Sequence, residues 1–253
     1  MSNDSNATPD VLGQTPEPKR NGSHRYIEWI IVIAIIVFLL VLLAPPSTNR
    51  TPSHRTQCKN NLKNIAIAIH SYAEVYGALP PACTVDAAGK PLHSWRTLIL
   101  PYLDEQALYE AIDLSKSWND PANANAFNTE LLVYRCPSAS TQPNQTTYMA
   151  IVGSNSCFRR GLPRLFADIT DGTSSTLMLI EVPSESAVPW MSPQDTDERF
   201  VLGFGPASDL PHTGGTQAAF ADGSIRFLEA TMPSDARRAM ISIAGDDNDA
   251  IDR

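Results

Sequence analysis

Residues 29–44 form an uncharged, strongly apolar run, and no charged side chain occurs between Trp29 and Arg50. A helix rising about 1.5 Å per residue crosses a hydrocarbon core of about 30 Å with about 20 residues, so the run is long enough for one pass of a bilayer. No second such segment follows it. The chain therefore reads as a single-pass membrane protein. It has a disordered cytoplasmic tail over 1–25, a transmembrane helix over 26–46, a linker over 47–55, one folded domain over 56–245 and an acidic tail over 246–253. A cleaved signal peptide fits less well. The polar segment before the run exceeds a usual n-region, and Ala44-Pro45-Pro46-Ser47 is not a small-x-small cleavage pattern. Lys19, Arg20 and Arg25 before the run are matched by Arg50, Arg55 and Lys59 after it. Arg25 lies nearer the membrane than Arg50, which favours a cytoplasmic N-terminus and an extracytoplasmic domain.

That placement gives the cysteines a meaning. Cys58, Cys83, Cys136 and Cys157 show no Cys-x-x-Cys spacing, and an even number of cysteines in an exported domain predicts two disulfides rather than zinc or redox chemistry. From Arg50 onwards there are 23 acidic and 16 basic residues without a Lys/Arg cluster, which argues against nucleic acid as a partner.

Leu62, Ile65, Ile69, Tyr72 and Tyr76 recur at spacings of three and four, with Lys59 and Lys63 on another face and Gly77 placed as a stop. This predicts an amphipathic helix over 57–76. A short helix over 105–112 takes Asp104 as its N-cap. Short β-prone runs follow at 133–136, 148–152, 176–182, 200–204, 217–220 and 225–228. The last two flank Ala221-Asp222-Gly223-Ser224, where Asp-Gly supplies the positive φ angles of a tight hairpin. A final helix over 234–243, capped by Ser234, ends near Gly245. One long helix followed by antiparallel strands is an α+β domain.

Several motifs in order resemble the bacterial "domain of unknown function 1559" family. They begin with Gln57-Cys58-Lys59-Asn60-Asn61-Leu62-Lys63-Asn64-Ile65, His70-Ser71-Tyr72 and Tyr76-Gly77-Ala78-Leu79-Pro80-Pro81. His93-Ser94-Trp95-Arg96, Leu100-Pro101-Tyr102-Leu103, Gln106-Ala107-Leu108-Tyr109 and Tyr134-Arg135-Cys136-Pro137-Ser138 follow. Then come Ala167-Asp168-Ile169-Thr170-Asp171-Gly172-Thr173-Ser174, Val188-Pro189-Trp190, and a His, nine residues, then Asp-Gly, here His212 and Asp222-Gly223. The family resembles type II secretion pseudopilins, so the resemblance implies a membrane-spanning helix followed by a long amphipathic helix on an antiparallel sheet. The chain departs from the pilin pattern twice. Ser23, not Gly, stands five residues before Glu28, and Pro45-Pro46 interrupts a continuous pilin helix. An unprocessed N-terminus and no pilin-like filament are therefore expected. Among the three connectivities open to four cysteines, the family-like motifs hold Cys58 and Cys136 and so imply Cys58 with Cys136, leaving Cys83 with Cys157.

Each site-like feature has a structural explanation. His212 with Asp222 suggests part of a hydrolase constellation, yet no Gly-x-Ser-x-Gly elbow accompanies them and a turn accounts for Asp222. Asp168, Asp171 and Gly172 could hold Ca²⁺, but EF-hand spacing is missing and Asp-Gly again describes a turn. Asp246, Asp247 and Asp249 read as a solvated end, His70 as a surface or half-buried residue, and Trp95 and Trp190 as core. No catalytic, cofactor or metal residue is assigned, and no reaction. The leading expectation is a membrane-anchored structural or interaction module of the bacterial cell envelope, with the lipid bilayer and an unidentified envelope protein or a second copy as partners. The alternatives are an anchored ligand-binding or sensor domain with a pocket lined by Trp95, Trp190 and Phe204, and a tethered hydrolase using His212.

Overall fold

Two helices lead the chain into two separate units, Met1–Thr51 and Pro52–Arg253. The computed structural model describes residues 22–43 and 53–245, with side chains of residues 26–39 in the first stretch. Most of the expected N-terminal tail, the Pro45-Pro46 break, most of the linker and the acidic tail lie outside the described residues.

Helix α1 (Gly22–Leu43) exposes every large apolar side chain described in it, among them Trp29, Ile33, Ile36 and Phe38. Consecutive exposed positions leave no buried stripe, unlike an amphipathic surface helix. Among the described residues no helix is long and apolar enough to cross a membrane. The described side chains of α1 stop at Leu39, short of the expected span over 26–46.

Helix α2 (His54–Tyr76) carries out the amphipathic expectation and starts three residues earlier than the spacing indicates. The Ser53 hydroxyl accepts from the Thr56 amide at 3.4 Å, and Gly77 closes the helix at φ 75°, a left-handed conformation natural to glycine. Cys58, Asn61, Leu62, Ile65, Ala66, Ala68, Ile69 and Ala73 form its buried stripe.

Among the described residues eight strands follow: β1 (Cys83–Val85), β2 (Pro91–Ser94), β3 (Gln145–Thr146), β4 (Tyr148–Ala150), β5 (Leu177–Glu181), β6 (Val188–Pro189), β7 (Gly215–Phe220) and β8 (Ile225–Glu229). The main sheet runs β4-β5-β7-β8, antiparallel throughout, with β1-β2 and β3-β6 as two-stranded ribbons. Both faces of the main sheet are covered. Leu179 and Ala219 belong to the larger core with the stripe of α2, whereas Ile180, Ala218 and Phe220 pack with Val201, Phe204 and Ile241 in a second cluster. A register shift between Leu177 and Leu179 breaks the alternation, so that Met178 and Leu179 both join the larger core. This double burial explains why β5 reads as an unbroken apolar run. The architecture is α+β, as expected.

Four local expectations are corrected. Residues 133–136 do not form a strand: a 3-10 turn at Leu132–Tyr134 buries Tyr134 and exposes Leu132. Residues 200–204 lie largely in a helix, Glu198–Gly203, because Asp197 caps it by accepting from the Arg199 amide at 2.9 Å and Phe200 meets Phe204 one turn on. Asp104 does not cap the next helix (Gln106–Glu110); it takes a left-handed φ of 62°, and Glu105 holds the N-cap position without a side-chain bond. The last helix is shorter than expected, Ser234–Arg238, with Pro233 rather than Ser234 at its cap.

Candidate functional site

The His-x9-Asp-Gly spacing is the length of one turn and one strand. His212 opens a tight turn in which Gly214 takes a φ of 82° and the Gly215 amide donates to the His212 carbonyl at 3.1 Å. Strand β7 then runs to Phe220, and the Gly223 amide closes the next turn on the Phe220 carbonyl at 2.8 Å. Only Gly223, at φ 77°, is left-handed there, so the hairpin is a turn plus a glycine bulge rather than one with Asp222 also at positive φ. Asp222 accepts from the Ser224 amide at 2.8 Å, and the Gly223 carbonyl accepts from Lys63 of α2 at 2.8 Å. One end of β7 is thus pinned to α2.

The other end reaches a buried acid. His212 Nε2 donates to Glu181 Oε2 at 3.0 Å, with both side chains buried. Burial pushes the Glu181 carboxyl above its ordinary range, an effect opposed by the His212 hydrogen bond. The Thr216 hydroxyl donates to the Glu181 carbonyl at 2.6 Å, joining β7 to β5 again. Beside this pair lies the disulfide between Cys58 of α2 and Cys136, whose Cα atoms are 5.3 Å apart. A hydrolytic triad would need a nucleophile beside the histidine, and a disulfide offers no ionisable proton. The expected second bridge does not form: Cys83 and Cys157 are separate buried thiols, the latter pushed up by burial to about 12.

A second buried network explains His93-Ser94-Trp95-Arg96. Arg96 is wholly buried and pairs with Asp195 at 2.7 Å, which also accepts from the Trp95 indole at 3.1 Å and the Ala150 amide at 2.8 Å. The guanidinium donates further to the Tyr148 carbonyl at 2.8 Å and the Ser94 hydroxyl at 2.9 Å. Tyr134 donates to the Arg96 carbonyl at 2.8 Å and stacks on Trp190, whose indole donates to the Thr129 carbonyl. Trp95 and Trp190 are therefore core residues, whereas Phe204, although buried in the second cluster, lines with Phe200 an open hollow of about 420 Å³ that neither tryptophan reaches. Burial also holds the Asp195 carboxyl above its ordinary range despite Arg96.

The remaining candidates are occupied locally. Asp168 accepts from the Leu165 amide at 3.2 Å, and Asp171 from the Gly245 amide at 2.6 Å. His70 packs its ring on Phe166 at 4.9 Å. An open cleft of about 950 Å³ is lined by Asn155, Asp171, Asp197, Arg199, Asp235 and Arg238 among others; of its acids, Asp197 is engaged with Arg199 and Asp171 with the Gly245 amide.

Neither Glu181 nor Asp195 lies in one of the family-like motifs. Glu181 has a signal, a lone charge ending the run Leu177-Met178-Leu179-Ile180; Asp195 sits in a loop with none.

Helix α2 packed on an antiparallel sheet, and tied by a disulfide to the segment at Cys136, defines an α+β domain. Residues 50–156 match the model of the family described as Protein of unknown function (DUF1559), the family that the motifs resemble. His212 and Asp222-Gly223 lie beyond the matched span. No curated protein and no solved structure matches the chain.

Proposed function

We propose that the chain is a membrane-anchored, pseudopilin-like structural or interaction module of the bacterial cell envelope, with no reaction of its own. The observation that carries this reading is the exposure of apolar side chains, uninterrupted by any charge, along residues 29–39 of α1. Such a surface, without a polar face, finds its match in hydrocarbon rather than in water. The architecture supports the rest: an amphipathic helix on an antiparallel sheet, stabilised by a disulfide suited to an oxidising compartment. The motif residues hold elements together, and partners bind at the surface of that frame. The open cleft favours a second reading, an anchored ligand-binding domain, since its volume suits a small molecule. It ranks behind because two of its acids, Asp197 and Asp171, already serve as a helix cap and a turn acceptor.

Alkaline extraction of membranes from cells expressing the full chain tests the anchor. The chain is expected to stay with the bilayer at its full, unprocessed mass, and a variant lacking residues 26–43 to be released. A full-length chain recovered in the soluble fraction would contradict the proposal.

A further inference from the structure

We propose that Cys58, Cys136, Glu181 and His212 form a tetrahedral site for a thiophilic divalent cation such as Zn²⁺ once the Cys58–Cys136 bond is reduced. One ligand atom from each lies within 4.8 Å of the others, and all four residues are buried. Two thiolates, an imidazole and a carboxylate make up the sulfur, nitrogen and oxygen donor set of tetrahedral zinc. A second observation points to the same place. Among the described residues Glu181 Oε1 has no hydrogen-bond partner although its residue is fully buried, and an orphaned acceptor of this kind costs free energy. His212, 7 % exposed, is the most accessible of the four and marks the side from which an ion would enter.

Zinc–sulfur bonds of about 2.3 Å hold two thiolates about 3.8 Å apart in a tetrahedron, far beyond the roughly 2.05 Å of a disulfide. The Cα separation of 5.3 Å leaves rotation of the cysteine side chains to make up most of that difference. The covalent bond and the ion are thus alternative cross-links of one joint. The bond ties α2 to the segment at Cys136, whereas the ion adds β5 through Glu181 and the turn before β7 through His212. In the opening step a dithiol reductant gives two electrons and two protons, yielding two cysteine thiols and its own disulfide. Binding of the cation then releases both thiol protons to solvent and leaves two thiolates, a carboxylate and a neutral imidazole around it. The inference stands whether or not α1 enters a bilayer.

The test uses the full chain in detergent with Cys83→Ser and Cys157→Ser, which removes the other two thiols, titrated with Co²⁺ before and after reduction by a phosphine. The reduced protein is expected to take up one equivalent with thiolate-to-cobalt charge-transfer bands and tetrahedral visible bands, to give them up to Zn²⁺, and to release two protons per ion. The disulfide form should show none of these. His212→Ala and Glu181→Gln should each weaken binding at least tenfold. Bands of equal strength and affinity in both variants would overturn the proposal, as they would show the thiols binding without the pair. Absence of the bands from the reduced parent protein, folded or unfolded, would overturn it equally and requires no variant to fold.

Discussion

Tyr148 of β4 stands directly opposite Glu181 of β5, which sets the Arg96 network beside the His212–Glu181 pair. Its carbonyl accepts from Arg96 at 2.8 Å, while its hydroxyl lies 3.5 Å from the Asn61 amide of α2. Asn61 also donates to the Arg135 carbonyl at 2.8 Å, beside Cys136. Burial, with the nearby Glu181 charge adding to it, holds the Tyr148 phenol well above its ordinary range, so it serves here as a neutral hydrogen-bonding group.

His212→Ala should destabilise the domain by about 3 kcal/mol, because both oxygens of a buried Glu181 would then lack partners. Replacing both partners, His212→Leu with Glu181→Met, should recover much of that loss, since no buried charge is stranded. Urea unfolding of the single and double variants measures this. A His212→Ala protein of undiminished stability would remove the architectural role.

The pH dependence follows from Glu181. Its folded-state carboxyl titrates above its unfolded value, so its contribution is fully present below about pH 4.3 and is lost as pH rises through the folded value. Glu181→Gln abolishes that term. The variant should therefore gain stability relative to the parent as pH rises from about 4.3 through the folded-state value, in unfolding curves taken at each pH. Parallel profiles for the two proteins would contradict the assignment.

Two glycines of the motif strand should respond differently to alanine. Gly223 takes a left-handed φ of 77° with only ordinary contacts around a would-be Cβ, so Gly223→Ala should cost about 1 to 2 kcal/mol in backbone strain, and Gly223→Val more. At Gly215 a Cβ would run into the Leu228 carbonyl and the Phe227 ring. Gly215→Ala should displace β8 and cost more than Gly223→Ala; thermal unfolding ranks the two, and the reverse order would show that β8 is free to move.

Helix α2 was legible because its buried stripe repeats at helical spacing, and the β7–β8 hairpin because Asp222-Gly223 states its turn chemistry. Residues 200–204 misled because Phe200 and Phe204 suit a strand by type but pair one helical turn apart, with the Asp197 cap as the overlooked signal. Strand β5 hides its alternation by being buried on both faces and bulged. Asp195 could not be found locally, since its partner Trp95 lies 100 residues away in sequence. Cysteine parity suggested a second bridge, but parity carries no geometry, and Cys83 and Cys157 remain thiols.

The state of the cysteines in the living cell tests the account most directly. Closing the 78-residue separation between Cys58 and Cys136 should contribute about 4.5 kcal/mol in the chain-entropy model, and only an oxidising compartment lets the bond persist. Cells should be quenched in acid, the chain alkylated under denaturing, non-reducing conditions, and its peptides mapped by mass. The expected result is a Cys58–Cys136 cross-linked peptide with Cys83 and Cys157 alkylated. Four alkylated cysteines, or Cys58 joined to Cys83, would contradict a disulfide-clamped domain held outside the cytoplasm.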